Sequence, residues 1–328
     1  MPPPTLRLRH IHLPTPGSTP STSPSYSLAS RLQSSLRRRL LDLKDSSSSV
    51  SSPPPVPTLI SFSPLPIYTL GRRQTTPLTP VESARLQAPL YLPSCQNHDP
   101  LPVRTLHSPR GGLTTYHGPG QIVLWPVIDL KSKQHSQFTV RCYSRLLENT
   151  TISTLHKLFG LKAQVTDDPG VWVEFSGQLQ KIAALGVHLR RYVSGLGTAI
   201  NVDMDGSERG DESSNPWKRV VACGLEGKKV TSVREVLGDR EGLDERLRVV
   251  GGEEGEETRE AKVAHAWASE FAERIGVVGV ERVGRIELRK VLEILLEEGS
   301  GRGEGEEGEE FKDEERKYLE VLLMEKGL

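Results

Sequence analysis

A glycine-rich segment near the middle of the chain holds the residue types best suited to bind a ligand. Arg110 to Gln121 read RGGLTTYHGPGQ, with four glycines, one proline, an arginine, a tyrosine and a histidine. Glycine adopts backbone angles that other residues avoid, and it lets a ligand approach the main chain closely. No Gly-Lys-Ser/Thr sequence follows and the glycine spacing of a dinucleotide fingerprint is absent, which argues against both nucleotide-binding loops. The pattern favours a binding loop, with a plain glycine-rich turn as the alternative.

Lys181 and Cys223 are two further side chains with acid–base or nucleophilic chemistry. Lys181 stands immediately before an apolar strand in the sequence KIAALGV. Its ammonium would be partly desolvated there, and buried lysines are uncommon without a partner or a task. Cys223 lies between the apolar run VVA and Gly224. Taken by itself, such a cysteine is more often a small buried hydrophobe than a nucleophile, so its residue type alone leaves its role open.

Composition narrows the function classes. The 328 residues carry 42 Lys+Arg and 42 Asp+Glu, and zero net charge argues against a protein that coats nucleic acid. No run of about 18 apolar residues occurs, so we expect no membrane-spanning helix. Hydrophobic residues make up 35% of the chain, below the roughly 45–50% of typical globular domains. Part of the chain is therefore predicted to be unpacked.

The three cysteines, Cys95, Cys142 and Cys223, are odd in number and far apart. That pattern fits neither a disulfide framework nor a zinc site, and the histidines show no metal-binding spacing. We therefore expect free thiols in a reducing compartment and no metal. Cys142 is predicted to lie in the core on a helix, and Cys95 in a loop.

The N-terminal stretch allows two interpretations. Its first 41 residues contain arginines but no Asp or Glu, a composition typical of a mitochondrial presequence. The same stretch shows a strand-like alternation at its start and a four-residue leucine repeat further on, which favour a strand and a helix of the fold. Cleavage after about residue 30 would exclude the strand. The alternating residues are Leu6, Leu8, His10 and His12, and the repeat is Leu28, Leu32, Leu36 and Leu40.

Hydrophobic periodicity predicts an α+β fold. Short β-branched or alternating stretches bounded by Gly or Pro indicate strands, and apolar residues at helical spacing indicate helices. Strands in hairpin-like succession with helices in blocks favour a mixed, mostly antiparallel sheet flanked by helices. The predicted strands are Leu59–Phe62, Val103–Leu106, Gln121–Val127, Val171–Phe175, Ile182–Leu189 and Thr198–Val202, and the predicted helices are Phe138–Phe159, Lys262–Ile275 and Ile286–Leu296.

Four stretches rich in Ser, Pro, Gly or Glu are predicted to be solvated insertions, loops or disorder, because they cannot bury enough apolar surface to offset their ordering entropy. They are Asp45–Pro57, Asp205–Pro216, Gly251–Glu260 and Gly299–Glu310. Trp217 follows an insertion and is predicted to be exposed, whereas the other tryptophans are predicted to be packing residues. These are Trp125, Trp172 and Trp267.

Several motifs, taken together and in order, resemble the lipoyl(octanoyl) transferase family. Members move an octanoyl group from acyl carrier protein onto a lysine of lipoyl-accepting domains through a cysteine thioester. The resemblance covers roughly Leu6 to Ile275 and implies a single catalytic domain with the biotin/lipoate protein ligase fold. The motifs are PIYTLGRR at Pro66 to Arg73, RGGLTTYHGPGQIVLWPVIDL from Arg110, GVWV from Gly170, KIAALGVHLRR from Lys181, the AINV end at Val202, and ACGLEGKKVTSV from Ala222.

The resemblance also implies the roles of individual residues. Cys223 would be the acyl-accepting nucleophile, and Lys181 would lower the pKa of its thiol and relay protons. Thr115, Tyr116 or His117 would help to position the carbonyl. The acyl and acceptor site would be lined by Arg110, Gly111, Gly112, Leu113, Thr114, Thr115, Tyr116, His117, Ala184, Leu185, Gly186, Gly197, Thr198 and Ala199.

One position departs from the family pattern. The family has a histidine before the glycine of the segment that corresponds to SGLGTA, and Leu196 stands there in this chain. The change indicates a more apolar site, a shifted local alignment or reduced activity. It does not affect the pair of Cys223 and Lys181.

The resemblance implies partners, a compartment and a domain boundary. We expect octanoyl-acyl carrier protein as donor, and lipoyl domains of 2-oxoacid dehydrogenase complexes and the glycine cleavage H protein as acceptors. No cofactor, nucleic acid or membrane span is implied, and the location would be mitochondrial. The catalytic domain is predicted to span residues 1–275, with insertions near 45–57, 205–216 and 251–260, and residues 276–328 to form a charged helical C-terminal extension.

Two other functions remain open at this point. An ATP-dependent lipoate or biotin ligase of the same fold would need groups placed for a triphosphate and no cysteine, so ATP dependence would discriminate. A non-catalytic carrier-binding protein is suggested by Leu196. The presence of both Cys223 and Lys181 favours the enzyme over that reading.

Overall fold

A computed structural model describes residues 6–45, 56–92, 99–220, 227–248, 258–299 and 314–322. Cys95, Cys223 and most of three of the predicted insertions lie outside these residues.

The strands are β1 (Leu8–Leu13), β2 (Thr58–Phe62), β3 (Ile67–Leu70), β4 (Arg104–His107), β5 (Thr115–His117), β6 (Gln121–Val127), β7 (Ala163–Gln164), β8 (Val171–Phe175), β9 (Gln178–Arg190), β10 (Val193–Asn201), β11 (Lys229–Val230) and β12 (Val280–Arg282). The helices are α1 (Tyr26–Asp45), α2 (Pro80–Gln87), α3 (Val140–Phe159), α4 (Val233–Leu237), α5 (Arg240–Arg248), α6 (Arg259–Ile275) and α7 (Arg285–Gly299); residues 314–322 are also helical.

A mixed sheet organises the fold. Its strand order is β12-β1-β2-β6-β10-β9-β8-β7, and β11 pairs with β9 outside this path. The pairs of β1 with β12, β1 with β2 and β9 with β11 are parallel, and the other pairs are antiparallel. A small second sheet has the order β4-β3-β5. The predicted fold class, an α+β domain with a mixed and mostly antiparallel sheet flanked by helices, is confirmed.

Alternation along the strands divides the core into two layers. On β6, Ile122 and Leu124 face a cluster with α3 and α6, whereas Val123 and Trp125 face a cluster with α1 and α7. Successive strand residues point to opposite faces, so a strand buried on both sides needs this continuous apolar run. A third cluster lies around the small sheet.

The N-terminal patterns correspond to real elements. β1 lies inside the sheet between β12 and β2, with Ile11 paired to Ile60. Leu28 and Leu32 of α1 are buried in the second core layer. Loss of the first 30 residues would therefore remove an interior strand and the start of a packed helix. Presequence cleavage stays a prediction.

The last described elements pack on the rest of the molecule. β12 extends the main sheet through its parallel pairing with β1. Leu288 and Leu292 of α7 and Tyr318 of the helix at 314–322 are buried in the same cluster as α1. The domain boundary at residue 275 stays a prediction.

Two local predictions are wrong, and a third is confirmed in part. The segment Asp205–Pro216 is a loop with residues 208–213 exposed, as predicted, but its end is packed: Asn215 is fully buried, and its amide donates to the carbonyls of Gly206 and Arg209. Trp217 is 6% exposed and packs edge-on against Tyr116. Cys142 is an exposed free thiol in the first turn of α3, because the buried stripe of that helix begins at Tyr143.

A histidine cluster bridges β1 and α6. The Ser61 hydroxyl hydrogen-bonds His10 Nε2 at 2.7 Å and His12 Nδ1 at 2.8 Å, and His265 Nδ1 lies 3.2 Å from His10 Nδ1. Burial and the neighbouring cations lower the pKa of His12 to about 3 and that of His265 to about 4. Both side chains are therefore neutral at pH 7.

Acid is expected to destabilise the protein through this cluster. A histidine whose pKa is lower in the folded than in the unfolded state contributes stability that is complete above the unfolded pKa, near 6.5, and is lost as pH falls toward the folded value. At pH 5, His12 and His265 together should lower the free energy of unfolding by about 2–4 kcal/mol relative to pH 7.5. Urea unfolding at both pH values measures the loss. The variant His265→Gln should lose less stability on acidification, and an equal loss in variant and parent would contradict the assignment.

Candidate functional site

Arg110 anchors the glycine-rich loop to the small sheet. Its side chain is 6% exposed. Nη2 donates to Thr69 O at 2.5 Å and to Thr69 Oγ1 at 2.8 Å, and Nη1 donates to Leu113 O at 2.8 Å. On the facing turn Gly71 has no room for a side chain, because a Cβ there would lie 2.4 Å from Gly112 O. The loop is therefore held by a buried guanidinium and a close backbone contact.

The loop closes one side of a narrow cleft on the face of the main sheet that packs against α1 and α7. The cleft has about 370 Å³ of atom-free space, including its open mouth, and β5, β6, β9, β10 and the start of α1 all contribute to its walls. Nine of the residues predicted for the site line it: Arg110, Thr115, His117, Ala184, Leu185, Gly186, Gly197, Thr198 and Ala199.

Five other predicted residues lie away from this lining. Tyr116 is buried in the third core cluster, with Tyr68 and Trp217 as neighbours, since it points to the opposite side of β5 from Thr115 and His117. The remaining four form the connection between Arg110 and β5. They are Gly111, Gly112, Leu113 and Thr114.

Small residues keep the sheet face open at the cleft. A Cβ on Gly197 would lie 2.2 Å from Leu124 O, and a Cβ on Gly186 would lie 3.0 Å from Arg110 Cδ. Larger side chains at these two positions would displace a neighbouring strand or the Arg110 stem. The strand pairing sets Gly186 opposite Gly197, so the two glycines lie side by side on adjacent strands of the cleft.

Four apolar or aromatic residues complete the cleft: Tyr26, Val123, Trp125 and Leu196. Tyr26, at the start of α1, stacks on His117 with ring centroids 5.5 Å apart. No local pattern connects Tyr26 with the loop, so sequence reasoning missed it. Leu196 stands in the left-handed region, with φ of 60°, and its N–H donates to Gln33 Oε1 at 3.0 Å. This is a strained conformation for leucine, and strain of this kind clusters at functional sites.

A chain of hydrogen bonds fixes His117. Asn201 Nδ2 donates to Thr231 O, Gln121 Nε2 donates to Asn201 Oδ1, and Gln121 Oε1 lies 2.7 Å from His117 Nδ1. Gln121 Oε1 is an acceptor, so His117 carries its proton on Nδ1 and its Nε2 is an acceptor. Burial and the Arg110 charge lower the pKa of His117 to about 4. The ring is therefore neutral at pH 7.

A β-bulge turns Lys181 toward the face that carries the cleft. Val171 pairs with Ala183 while Trp172 pairs with Lys181, so Ile182 is an extra residue in β9. Such an insertion reverses the alternation of side chains beyond it. Lys181 is 6% exposed, and its Nζ lies 4.8 Å from the centre of the Trp172 ring.

Lys181 does not line the cleft; it lies beside the strand that follows residues 221–226. β11 pairs in parallel with β9, with Val230 opposite Lys181, and Thr231 N donates to Lys181 O at 3.0 Å. Cys223 belongs to residues 221–226 and lies outside the described part of the chain. Among the described residues, no group of three or more His, Cys, Asp or Glu side chains is arranged to hold a metal ion.

Comparison with known proteins identifies the family. Residues 47–250 match the lipoyl protein ligase A/B catalytic domain. The chain belongs to this family. It is 32% identical to the mitochondrial octanoyltransferase of Kluyveromyces lactis over 70% of this chain and 62% of that protein. It is 36% identical to the mitochondrial octanoyl-[acyl-carrier-protein]:protein N-octanoyltransferase of Danio rerio over 65% of this chain and 79% of that protein.

The chain thus spans about three-fifths of the length of its yeast relative. A solved bi-partite lipoate protein ligase from Thermoplasma acidophilum, described with its E2 lipoyl domain, superposes with a TM-score of 0.47 at 15% identity, over 98% of both chains. None of the described helices is long and apolar enough to cross a membrane.

Proposed function

We propose that this member of the lipoyl protein ligase A/B family is a mitochondrial octanoyltransferase. It would move an octanoyl group from acyl carrier protein to a lysine of a lipoyl domain, as in the 2-oxoacid dehydrogenase complexes or the glycine cleavage H protein. The observation that carries the proposal is the cleft, in which the predicted loop, β9 and β10 residues meet an apolar wall of Val123, Trp125 and Leu196. This apolar wall is proposed to contact the acyl chain.

The proposed reaction has two acyl transfers. The Cys223 thiolate attacks the thioester carbonyl of the donor, the carbon–sulfur bond to the carrier breaks, and the carrier thiolate leaves and takes up a proton. The lysine amine of the acceptor then attacks the Cys223 thioester, an amide forms, and the Cys223 thiolate leaves while the amine loses a proton. A thioester and an amine thus become an amide and a thiol, with no cofactor consumed.

Lys181 is the proposed partner of the Cys223 thiol. A free thiol with a pKa of about 8.5 is only about 3% ionised at pH 7. Lowering that pKa by about two units takes roughly 2.7 kcal/mol. One ammonium about 4 Å away, at an effective dielectric constant near 20, supplies up to about 4 kcal/mol. The buried ammonium beside Trp172 and the pairing of Lys181 with Val230 support this role.

His117 and Thr115 have different roles in the proposal. His117 accepts at Nε2, so it can orient the incoming amine but cannot donate to a carbonyl. Thr115 lines the same cleft, and its hydroxyl is the donor proposed to position the thioester carbonyl. Tyr116 takes no part because its ring packs in the third core cluster.

Mass spectrometry of the intact protein tests the proposed function. Incubation with octanoyl-acyl carrier protein in the absence of ATP should add one octanoyl mass, and the adduct should decay when a lipoyl domain is added. The variant Cys223→Ala should form no adduct, whereas Cys142→Ala, which removes the exposed thiol of α3, should form it as the parent does. An adduct that needs ATP would indicate a ligase, and no adduct in the parent would indicate a binding protein.

A further inference from the structure

A cationic cluster continues the cleft along the same sheet face. Beyond the bulge, side chains of β9 alternate, so Ala184 and Gly186 of the cleft share a face with His188 and Arg190. His188 pairs with Gly195 on β10, two residues before Gly197. The cluster therefore begins one strand repeat, about 7 Å, beyond the cleft lining.

Arg37 of α1 covers this part of the sheet. A Cβ on Gly195 would lie 2.9 Å from Arg37 Cζ and Nε, so glycine makes room for the guanidinium. Arg37 Nη1 lies 3.2 Å from His188 Nδ1 and donates to it. The Nε and Nη2 atoms of Arg37 are buried without a hydrogen-bond partner. Buried donors of this kind usually have partners, so a missing partner calls for an explanation.

The cluster also holds more positive charge than its surroundings neutralise. Burial, followed by Arg37, Arg72 and Arg190, lowers the pKa of His188, which places all three guanidinium groups within electrostatic reach of that ring. Burial and Arg190 lower the pKa of Arg37. Arg259, which is also partly exposed, forms an ion pair with Asp244.

The three cluster arginines, by contrast, form no ion pair with a carboxylate in the described part of the chain. The cluster is attached to the glycine-rich loop through its backbone. Arg72 N donates to Arg110 O at 2.9 Å, so Arg72 lies next to the start of the loop that lines the cleft.

We propose that Arg37, Arg72, Arg190 and His188 form a subsite for a phosphate group of the acyl donor. Guanidinium groups match phosphate oxygens in geometry and charge, and three of them lie in this cluster without a carboxylate partner. The inference rests on the proposed function, because it takes the group in the cleft to be the acyl chain of the donor. The phosphate would lie on the arm that carries the thioester.

Two small-molecule acyl donors distinguish the effect of the phosphate from that of the carrier protein. Octanoyl-4′-phosphopantetheine has a terminal phosphate, and octanoyl-pantetheine lacks it. The ratio of their kcat/KM values for acylation of the protein should fall at least tenfold in Arg37→Gln and in Arg190→Gln. The second variant changes an exposed side chain, so it keeps the test valid if Arg37→Gln folds poorly. Arg141→Gln on α3, in the other layer, changes the charge equally and should keep the parent ratio.

Two outcomes would overturn the proposal. An unchanged ratio in both cluster variants would exclude a phosphate subsite. A loss seen only with the intact carrier protein would assign the arginines to an acidic protein surface instead.

A binding measurement separates this proposal from the proposed function. In the parent protein, inorganic phosphate should raise the pKa of His188 in an NMR titration, because a bound anion offsets the three arginine charges. Chloride at equal ionic strength should raise it less, and Arg37→Gln should abolish the difference. If neither small donor nor the carrier acylates the parent, the proposed function fails, and this titration alone decides whether the anion site exists.

Discussion

Replacing Lys181 by methionine is expected to slow octanoyl-Cys223 formation about 25-fold at pH 7 and to restore most of the rate above pH 9. If Lys181 lowers the pKa of the Cys223 thiol by about two units, its removal reduces the thiolate fraction from roughly three-quarters to about 3%. Methionine keeps the apolar stem against Trp172 but not the charge. Rapid-quench mass spectrometry from pH 6 to pH 10 measures the rate.

A neighbouring lysine provides a matched control. Lys228 Nζ lies 5.3 Å from the centre of the same Trp172 ring, and Lys228 forms an ion pair with Asp168. The variant Lys228→Met removes a second ammonium near that ring and should leave the pH profile of acylation close to that of the parent. Equal profiles for parent and Lys181→Met would contradict the assigned role, and equal shifts in both variants would indicate a general loss of positive charge.

Regular periodicity explains why much of the fold could be predicted from the sequence. β6 and β8 have the predicted bounds, Gln121–Val127 and Val171–Phe175: β6 begins directly after Gly120, and β8 ends before the turn at Ser176 and Gly177. The helix predicted over Phe138–Phe159 begins at Val140, after the Thr139 side chain caps the Cys142 N–H. Each of these signals lies within a single segment, so it can be recognised without knowledge of the tertiary structure.

The features missed by sequence reasoning depend on contacts between distant segments. The bulge at Ile182 arises from the register of β8 against β9, and no residue type in KIAALGV indicates it. Tyr26 reaches the cleft only because α1 packs across the sheet. Trp217 follows a polar stretch, yet the small sheet supplies Tyr68 and Tyr116 to bury it. In each case tertiary packing, rather than local propensity, decides the outcome.

The same distinction applies to the candidate site. The family resemblance predicted the glycine-rich loop and the segments of β9 and β10 as the site, and the structure brings nine of these residues to one cleft. The direction of each side chain follows from strand alternation, which separates Tyr116 from Thr115 and His117. The tautomer of His117 follows from Gln121 and Asn201, which belong to the motifs but were not predicted as site residues.

Replacing Arg110 by methionine is expected to lower the free energy of unfolding by about 2–5 kcal/mol and to abolish most acylation. The variant leaves the buried acceptor Thr69 O and the part-buried acceptor Leu113 O without the Arg110 donors, and each unsatisfied buried group costs about 1–3 kcal/mol. Methionine fills much of the space of the arginine stem against Gly186, so the loss reports on the guanidinium rather than on a cavity. Urea unfolding measures stability, and octanoyl adduct formation measures activity.

The exposed neighbour Arg73 separates the two effects. Its backbone N–H donates to Gly112 O, which Arg73→Met retains, so this variant should keep the stability of the parent within about 0.5 kcal/mol, as expected for surface substitutions. If Arg110 acts by holding the loop, Arg110→Met should also expose the loop to protease at concentrations of urea that leave the main sheet folded. If the Arg110→Met protein is destabilised but is acylated at the rate of the parent, the loop does not need the Arg110 side chain to form the site. Loss of acylation with full stability would instead place the guanidinium in contact with the substrate.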